Sequence, residues 1–225
     1  SVRSKVSIRD SKVGIVSISQ FDLTTPTQFK ECMNDLISKG CEKFVFDVRN
    51  NPGGDLASIT AVLSMILNKG DVVISTKSAS GAEEITKVDV VNYAGNYSTC
   101  NITESEIGMY GKYEMVVLAD ANTASAAELF TAALRDHNKA KIVGVKTYGK
   151  GSVQSILPLS SSGGEGAIKL TTMLYYPPCG EGYNGIGIAP HYEVELSGVA
   201  KETHFYKLTE EIDNQLQKAV SLLID

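Results

Sequence analysis

Histidine and cysteine are scarce in this sequence. There are three histidines and four cysteines, and that scarcity excludes much metal and thiol chemistry. Cys32, Cys41, Cys100 and Cys179 form no CxxC pair, and no histidine stands near one at zinc-finger spacing. Four cysteines allow three disulfide pairings, among which sequence does not choose. Cys32 falls on the apolar face of a helical pattern and reads as a buried, inert thiol. No HExxH pattern occurs. His137 closes a helical pattern, His191 precedes a strand-like alternation and His204 lies in a polar stretch; each reads as a structural or surface residue. No stretch approaches ~18 unbroken apolar residues, so no membrane span is expected. The opening SVRSKVSIRD lacks the apolar centre of a signal peptide. Lysine and arginine number 21 against 26 acids, a net charge of −5, which gives no electrostatic footprint for nucleic acid.

The 225 residues, 43% of them hydrophobic, suffice for a sizeable core. Residues 12–18 read as a strand, and Thr25-Pro26-Thr27-Gln28 opens a helix with a cap, a proline in the first turn and a capping-box glutamine. Phe29, Cys32, Met33, Leu36 and Ile37 follow at helical spacing until Gly40. Strands are expected at 43–48, 71–76, 84–91, 113–119, 141–145 and 167–176. Helices are expected from Leu56 to Leu67, from Ala126 to Leu134 and over 209–224. Residues 92–112 read as irregular, and the segment 77–112 as an insertion. SSSGGEG, 160–166, reads as a hairpin tip. Alternating strands and helices followed by a strand-rich quarter predict an α/β fold with a mixed sheet.

Three loops carry the candidate chemistry. Ser125 stands where a strand–turn–helix begins its helix. Ser125-Ala126-Ala127-Glu128 is by itself a capping box. A helix start also offers unpaired N–H groups and a positive dipole end. A serine there can attack a carbonyl while the Ala126 N–H receives the oxyanion. Asn50-Asn51-Pro52-Gly53-Gly54 joins a strand to a helix, and its glycines allow close approach of a ligand backbone. Lys150 lies between two glycines in the uncharged run Thr147–Gln154, where burial is expected. GKGS lacks the spacing of a phosphate loop.

Together FDVRNNPGGDL (46–56), VVLADANTASAAELFTAAL (116–134) and IVGVKTYGKGSVQ (142–154) resemble the carboxyl-terminal processing peptidases, or tail-specific proteases. KLTTMLYYPPCGEGYNGIGIAPHYEVEL (169–196) and DNQLQKAVSLL (213–223) fit the same pattern. The resemblance covers nearly the whole chain and is weakest at 77–112. It implies a crotonase/ClpP-like mixed sheet flanked by helices, a single protease core over 1–225. It implies a serine endopeptidase cleaving near the C-terminus of protein substrates through an acyl-enzyme. Ser125 is then the nucleophile, Lys150 the base and Gln154 its support. Ala126 and a glycine of the pair Gly53 and Gly54, with Gly53 favoured, supply the oxyanion donors. No metal or cofactor is implied. The expected partners are protein or peptide substrates held as extended C-terminal tails, with β-strand addition beside residues 167–176 as one binding mode. There is room for a homo-oligomer, and the family points to an extracytoplasmic location. Two departures stand out. Thr123 replaces the first serine of the family's S-A-S-x-E motif, and no PDZ-sized segment precedes residue 12. The alternative is an inactive or latent binding module of the same fold, awaiting a missing domain or partner. A free lysine titrates near ~10.4, so a lysine base implies a desolvated amine and activity that rises toward alkaline pH.

Overall fold

The computed structural model describes residues 1–95, 98–159 and 166–224. The hairpin tip expected at 160–166 therefore lies almost wholly outside the described residues. The central layer is a six-stranded sheet in the order β1 (Val2–Val6), β2 (Val13–Ile18), β3 (Lys43–Asp47), β8 (Glu114–Ala119), β9 (Ala140–Gly144) and β12 (Tyr192–Glu193). β1 is antiparallel to β2, and every other pairing is parallel. Parallel strands need crossovers, which helices supply. α1 (Thr25–Ser38), α2 (Leu56–Ser64) and α3 (Ala126–Asp136) take one face, and α5 (Asn214–Ile224) takes the other. A short α4 (Val199–Glu202) precedes α5. The mixed α/β sheet flanked by helices matches the fold expected from the sequence.

The strand patterns follow from this sandwiching. β2 and β3 are apolar at nearly every position because both of their faces are covered. Phe46 on β3 meets Phe29 of α1 and Phe130 of α3 at ring separations of 5.5 and 5.9 Å. Each such ring contributes about 1.5–3 kcal/mol through burial. On the opposite face Val13, Val45, Val116 and Val143 pack against Leu216, Val220 and Leu223 of α5.

A buried ion cluster fixes α5 to the sheet. Arg49, just after β3, donates to both carboxyl oxygens of Asp47 at 2.9 and 2.7 Å. It also donates to both of Asp213 at 3.0 and 2.7 Å and to Gln215. Burial pushes the guanidinium pKa down, but Asp47 and Asp213 outweigh it and the value is raised.

A second sheet has the order β10 (Ser152–Pro158), β11 (Ala167–Tyr176), β4 (Val72–Ser78) and β5 (Glu83–Lys87). β11 pairs with β10 along its length and with β4 from Met173 to Tyr176. The outer strands of this sheet are β10 and β5, and β11 is open on its β4 side only ahead of Met173. A β-bulge separates Val153 from Gln154.

The structure corrects two readings and adds one strand. Residues 92–112 are not irregular: β6 (Val91–Gly95) and β7 (Ser98–Ile102) form a hairpin, and a 3₁₀ turn spans Glu104–Glu106. α2 ends at Ser64 rather than Leu67, because Met65 and Ile66 close with tighter three-residue turns. Residues 2–6 form an outer strand, a short half-polar segment whose order comes from pairing with β2.

Candidate active site

Residues 120–125 make the turn between β8 and α3. Asp120 accepts from the Asn50 and Asn122 N–H groups, both at 3.0 Å. The Thr123 hydroxyl accepts from the Asp120 N–H at 2.9 Å and donates to the Val48 carbonyl at 2.8 Å. That position thus uses a hydroxyl, which either serine or threonine supplies. The turn ends at Ser125 with φ 57° and ψ −120°, a region normally left to glycine. Holding a serine there costs on the order of 1–3 kcal/mol, and it presents the residue at the start of α3 as a sharp strand-to-helix corner.

The glycine loop lies directly against this corner. A Cβ on Gly53 would stand 2.8 Å from Ser125 Cβ, 2.8 Å from Ala126 N and 2.7 Å from the Ala124 carbonyl oxygen. Only glycine permits that approach, and its φ of +99° asks for the same residue. Buried Asn51 sets the loop. Its amide donates to the Ile18 carbonyl at 2.8 Å, and its Oδ1 accepts from the Gly53 N–H at 2.8 Å. The Gly53 N–H is therefore committed. Among the described residues, the Gly54 and Ala126 N–H groups have no hydrogen-bond partner.

Glu128 joins the serine to the lysine loop. It is fully buried. Its Oε2 accepts from the Ser125 N–H at 2.9 Å and from the Lys150 N–H at 2.8 Å. Its Oε1 accepts from the Gly149 N–H at 2.7 Å and from the Thr147 hydroxyl at 2.5 Å. The backbones of Ser125 and Lys150 therefore lie less than two hydrogen-bond lengths apart. The capping-box reading found the first of these four bonds and missed the other three, which are long-range. Thr147 continues outward by accepting the Ile188 N–H at 2.8 Å, and the Tyr148 N–H reaches the Thr123 carbonyl at 3.0 Å.

The lysine side chain is half-buried, less than the uncharged run suggested. Among the described residues, Lys150 Nζ has no hydrogen-bond or ion-pair partner, and the Ser125 side chain faces the Glu128 N–H in the capping box. Gln154 is exposed and its amide does not meet Lys150; the bulge before it sets its direction. The Asn184 side chain accepts the Gly151 N–H at 3.1 Å, and Gly185 donates to the Gly149 carbonyl at 2.8 Å. This 183–187 loop braces the lysine turn. The Tyr183 hydroxyl is buried without a partner among the described residues. Burial first, then Glu128 and Tyr175, raise its pKa.

His137 and His191 are structural, and His204 is exposed. His137 bonds the Val72 carbonyl at 2.7 Å, and His191 Nδ1 accepts the Ile142 N–H at 3.0 Å. Burial, with Lys141 and Arg135, lowers the His191 pKa. Cys32, Cys41 and Cys179 are free thiols. No metal-binding cluster of His, Cys, Asp or Glu occurs among the described residues.

The profile of Peptidase family S41 matches residues 12–194. A carboxy-terminal-processing protease of Bartonella bacilliformis is 35% identical over 190 residues, 83% of this chain and 39% of that protein. A probable CtpA-like serine protease of Staphylococcus aureus is 30% identical over 83% of this chain and 34% of its own length. The chain thus spans less than two fifths of these curated relatives. Among solved structures, the photosystem II D1 C-terminal processing protease superposes with a TM-score of 0.68 at 26% identity, covering 81% of this chain and 42% of that one. A peptidase fold from Parabacteroides merdae covers all of this chain and 64% of its own, with TM-score 0.72 at 16% identity. Fold, motif order and sequence relationship agree, and the chain belongs to peptidase family S41.

Proposed function

We propose that this chain is the catalytic core of a serine endopeptidase that cleaves protein substrates near their C-termini. Ser125 is its nucleophile and Lys150 its general base. The observation that carries this reading is the Glu128 carboxyl, which bonds the backbone N–H of both residues and so holds the two loops at one point. With the backbones fixed, catalysis needs only the flexible lysine side chain to turn toward Ser125. Neutral Lys150 takes the Ser125 Oγ proton as Oγ attacks the scissile carbonyl. The tetrahedral oxyanion is received by the Ala126 N–H and a loop glycine; Gly54 is the uncommitted one, since the Gly53 N–H is held by Asn51. Each such donor contributes roughly 3 kcal/mol to the transition state. Lys150 returns the proton to the leaving amine, and water then hydrolyses the acyl-enzyme. In this scheme Gln154 acts only after turning inward from its exposed position.

The substrate tail adds as an extended strand on the free edge of β10, which begins two residues after Lys150. An extracytoplasmic location belongs to the same reading. No helix among the described residues is long and apolar enough to cross a membrane.

The test is labelling by a fluorophosphonate serine probe. We expect labelling of the parent protein and its loss in both Ser125→Ala and Lys150→Ala. Labelling, or cleavage of an unfolded substrate, that survives both substitutions overturns the assignment.

A further inference from the structure

The face of the six-stranded sheet that carries α5 is covered unevenly. α5 lies over β3, β8 and β9. Toward β1 and β2 the same face opens into a cavity of about 400 Å³, whose walls include Arg3, Lys5, Ser17, Arg49, Phe205 and Tyr206. Arg3 and Lys5 are two apart on β1, so they project from the same face about 7 Å apart.

The charges in this trough are unequally available. Arg49 is fully engaged, and both carboxyl oxygens of Asp47 and of Asp213 are bonded to it. Arg3 has no ion-pair partner among the described residues. Lys5 lies 3.9 Å from Glu210, a carboxyl that is buried and already accepts from the Ser7 hydroxyl and the Ile8 N–H. A ligand entering from solvent therefore meets two cations and no free acid. It also meets Tyr206, which is 78% exposed, beside Phe205, whose ring lies over the Arg49 guanidinium at 5.2 Å.

Next to the trough lies an unpaired strand edge. Among the described residues β1 pairs only with β2. The Ser19 N–H bonds the Ser1 carbonyl and the Ser7 N–H bonds the Val13 carbonyl. By the alternation of an antiparallel ladder, Arg3 and Lys5 direct their backbone groups to β2, whereas Ser4 and Val6 direct theirs outward. Of the outward groups, the Val2 N–H is taken by Gln28. An extended peptide added to this edge would bond Ser4 and Val6 and bring alternate side chains beside Arg3 and Lys5.

We propose that this edge and trough form a second polypeptide-binding site, selective for an extended segment with acidic residues at alternate positions. The site shares the 49–54 loop with the catalytic corner: Arg49 borders the trough, and Gly53 touches Ser125. A polypeptide held here is a different stretch from the one at Ser125, and binding does not depend on the Ser125–Lys150 reading.

The test uses Ser125→Ala protein, which removes cleavage, and a fluorescein-labelled peptide alternating valine with aspartate. Fluorescence anisotropy should show binding that weakens with added salt. Binding should fall about tenfold or more in the double variant Arg3→Glu, Lys5→Glu, and likewise when asparagine replaces aspartate in the peptide. The double variant should in turn bind a valine–lysine peptide that the parent does not, which also shows that it is folded. The proposal is overturned by no binding to the parent, by equal binding of the aspartate and asparagine peptides, or by undiminished binding of the aspartate peptide to the reversed variant.

Discussion

Two carboxyl clusters are buried at the same end of the central sheet, and they are built on opposite plans. Around Arg49, two aspartates face one guanidinium, so buried charge meets buried charge. Around Glu128, the donors are three backbone N–H groups and one hydroxyl, with no cation among them. The first cluster joins a strand end to α5 at the far end of the sequence. The second joins a helix start to a loop. Charge pairing holds regular elements together here, whereas N–H donors hold loops whose backbone positions matter.

Removing the guanidinium tests the first plan. Arg49→Met should cost about 3–5 kcal/mol, because two buried carboxyls lose their partner, as read by urea unfolding. Probe labelling per folded molecule should stay near the parental rate, and a large fall in that rate would break the division between the clusters. Glu128→Gln should cost less, about 1–3 kcal/mol, since the amide keeps the shape but turns a donor toward N–H groups. Its labelling rate should nonetheless fall more than that of Arg49→Met. The reverse order in labelling would show that Glu128 is a packing residue and no more.

The strain at Ser125 gives a smaller effect. Ser125→Gly relieves a backbone conformation that suits glycine, so it should be more stable than Ser125→Ala by about 1 kcal/mol, while both lack labelling. Equal melting temperatures would mean that the corner carries no strain.

The smallest expected effect lies at the surface. A hydrogen bond from Lys30, aided by Thr103, lowers the Glu106 carboxyl to about 2. The folded value lies below the unfolded one, so the stabilisation is complete above about pH 4.3 and is lost as pH falls toward 2. Lys30→Met should flatten acid unfolding in that window by less than about 1 kcal/mol, because the lysine is partly exposed. Acid unfolding identical to the parent would show that this pair contributes nothing.

Much of the fold was legible in the sequence, as were the loops of the candidate site. The apolar runs at 12–18, 43–48 and 113–119 declared strands, and the helical spacing from Phe29 to Ile37 declared α1. Ser125, the Gly53–Gly54 pair and Lys150 were each legible as loop residues at strand ends. What was not legible is long-range. Glu128 carries a local signal that a capping box fully satisfies, so its bonds to Gly149 and Lys150 leave no trace in spacing. Asn51 reads as a turn residue, although it commits the Gly53 N–H. Gln154 follows a bulge, and a bulge inverts what alternation would predict for the next side chain. β1 is short and half-polar, and its order comes from β2 rather than from its own residues.

The Glu128 network also has a kinetic meaning. Three amide protons, those of Ser125, Gly149 and Lys150, end on one carboxyl. Opening one segment alone strips a donor from a buried carboxyl and leaves the other bonds strained, so separate openings are costly. The helix start and the lysine turn therefore breathe as a single opening unit. In hydrogen exchange the three amides should be released at one common rate, and Glu128→Gln should split that rate into separate ones.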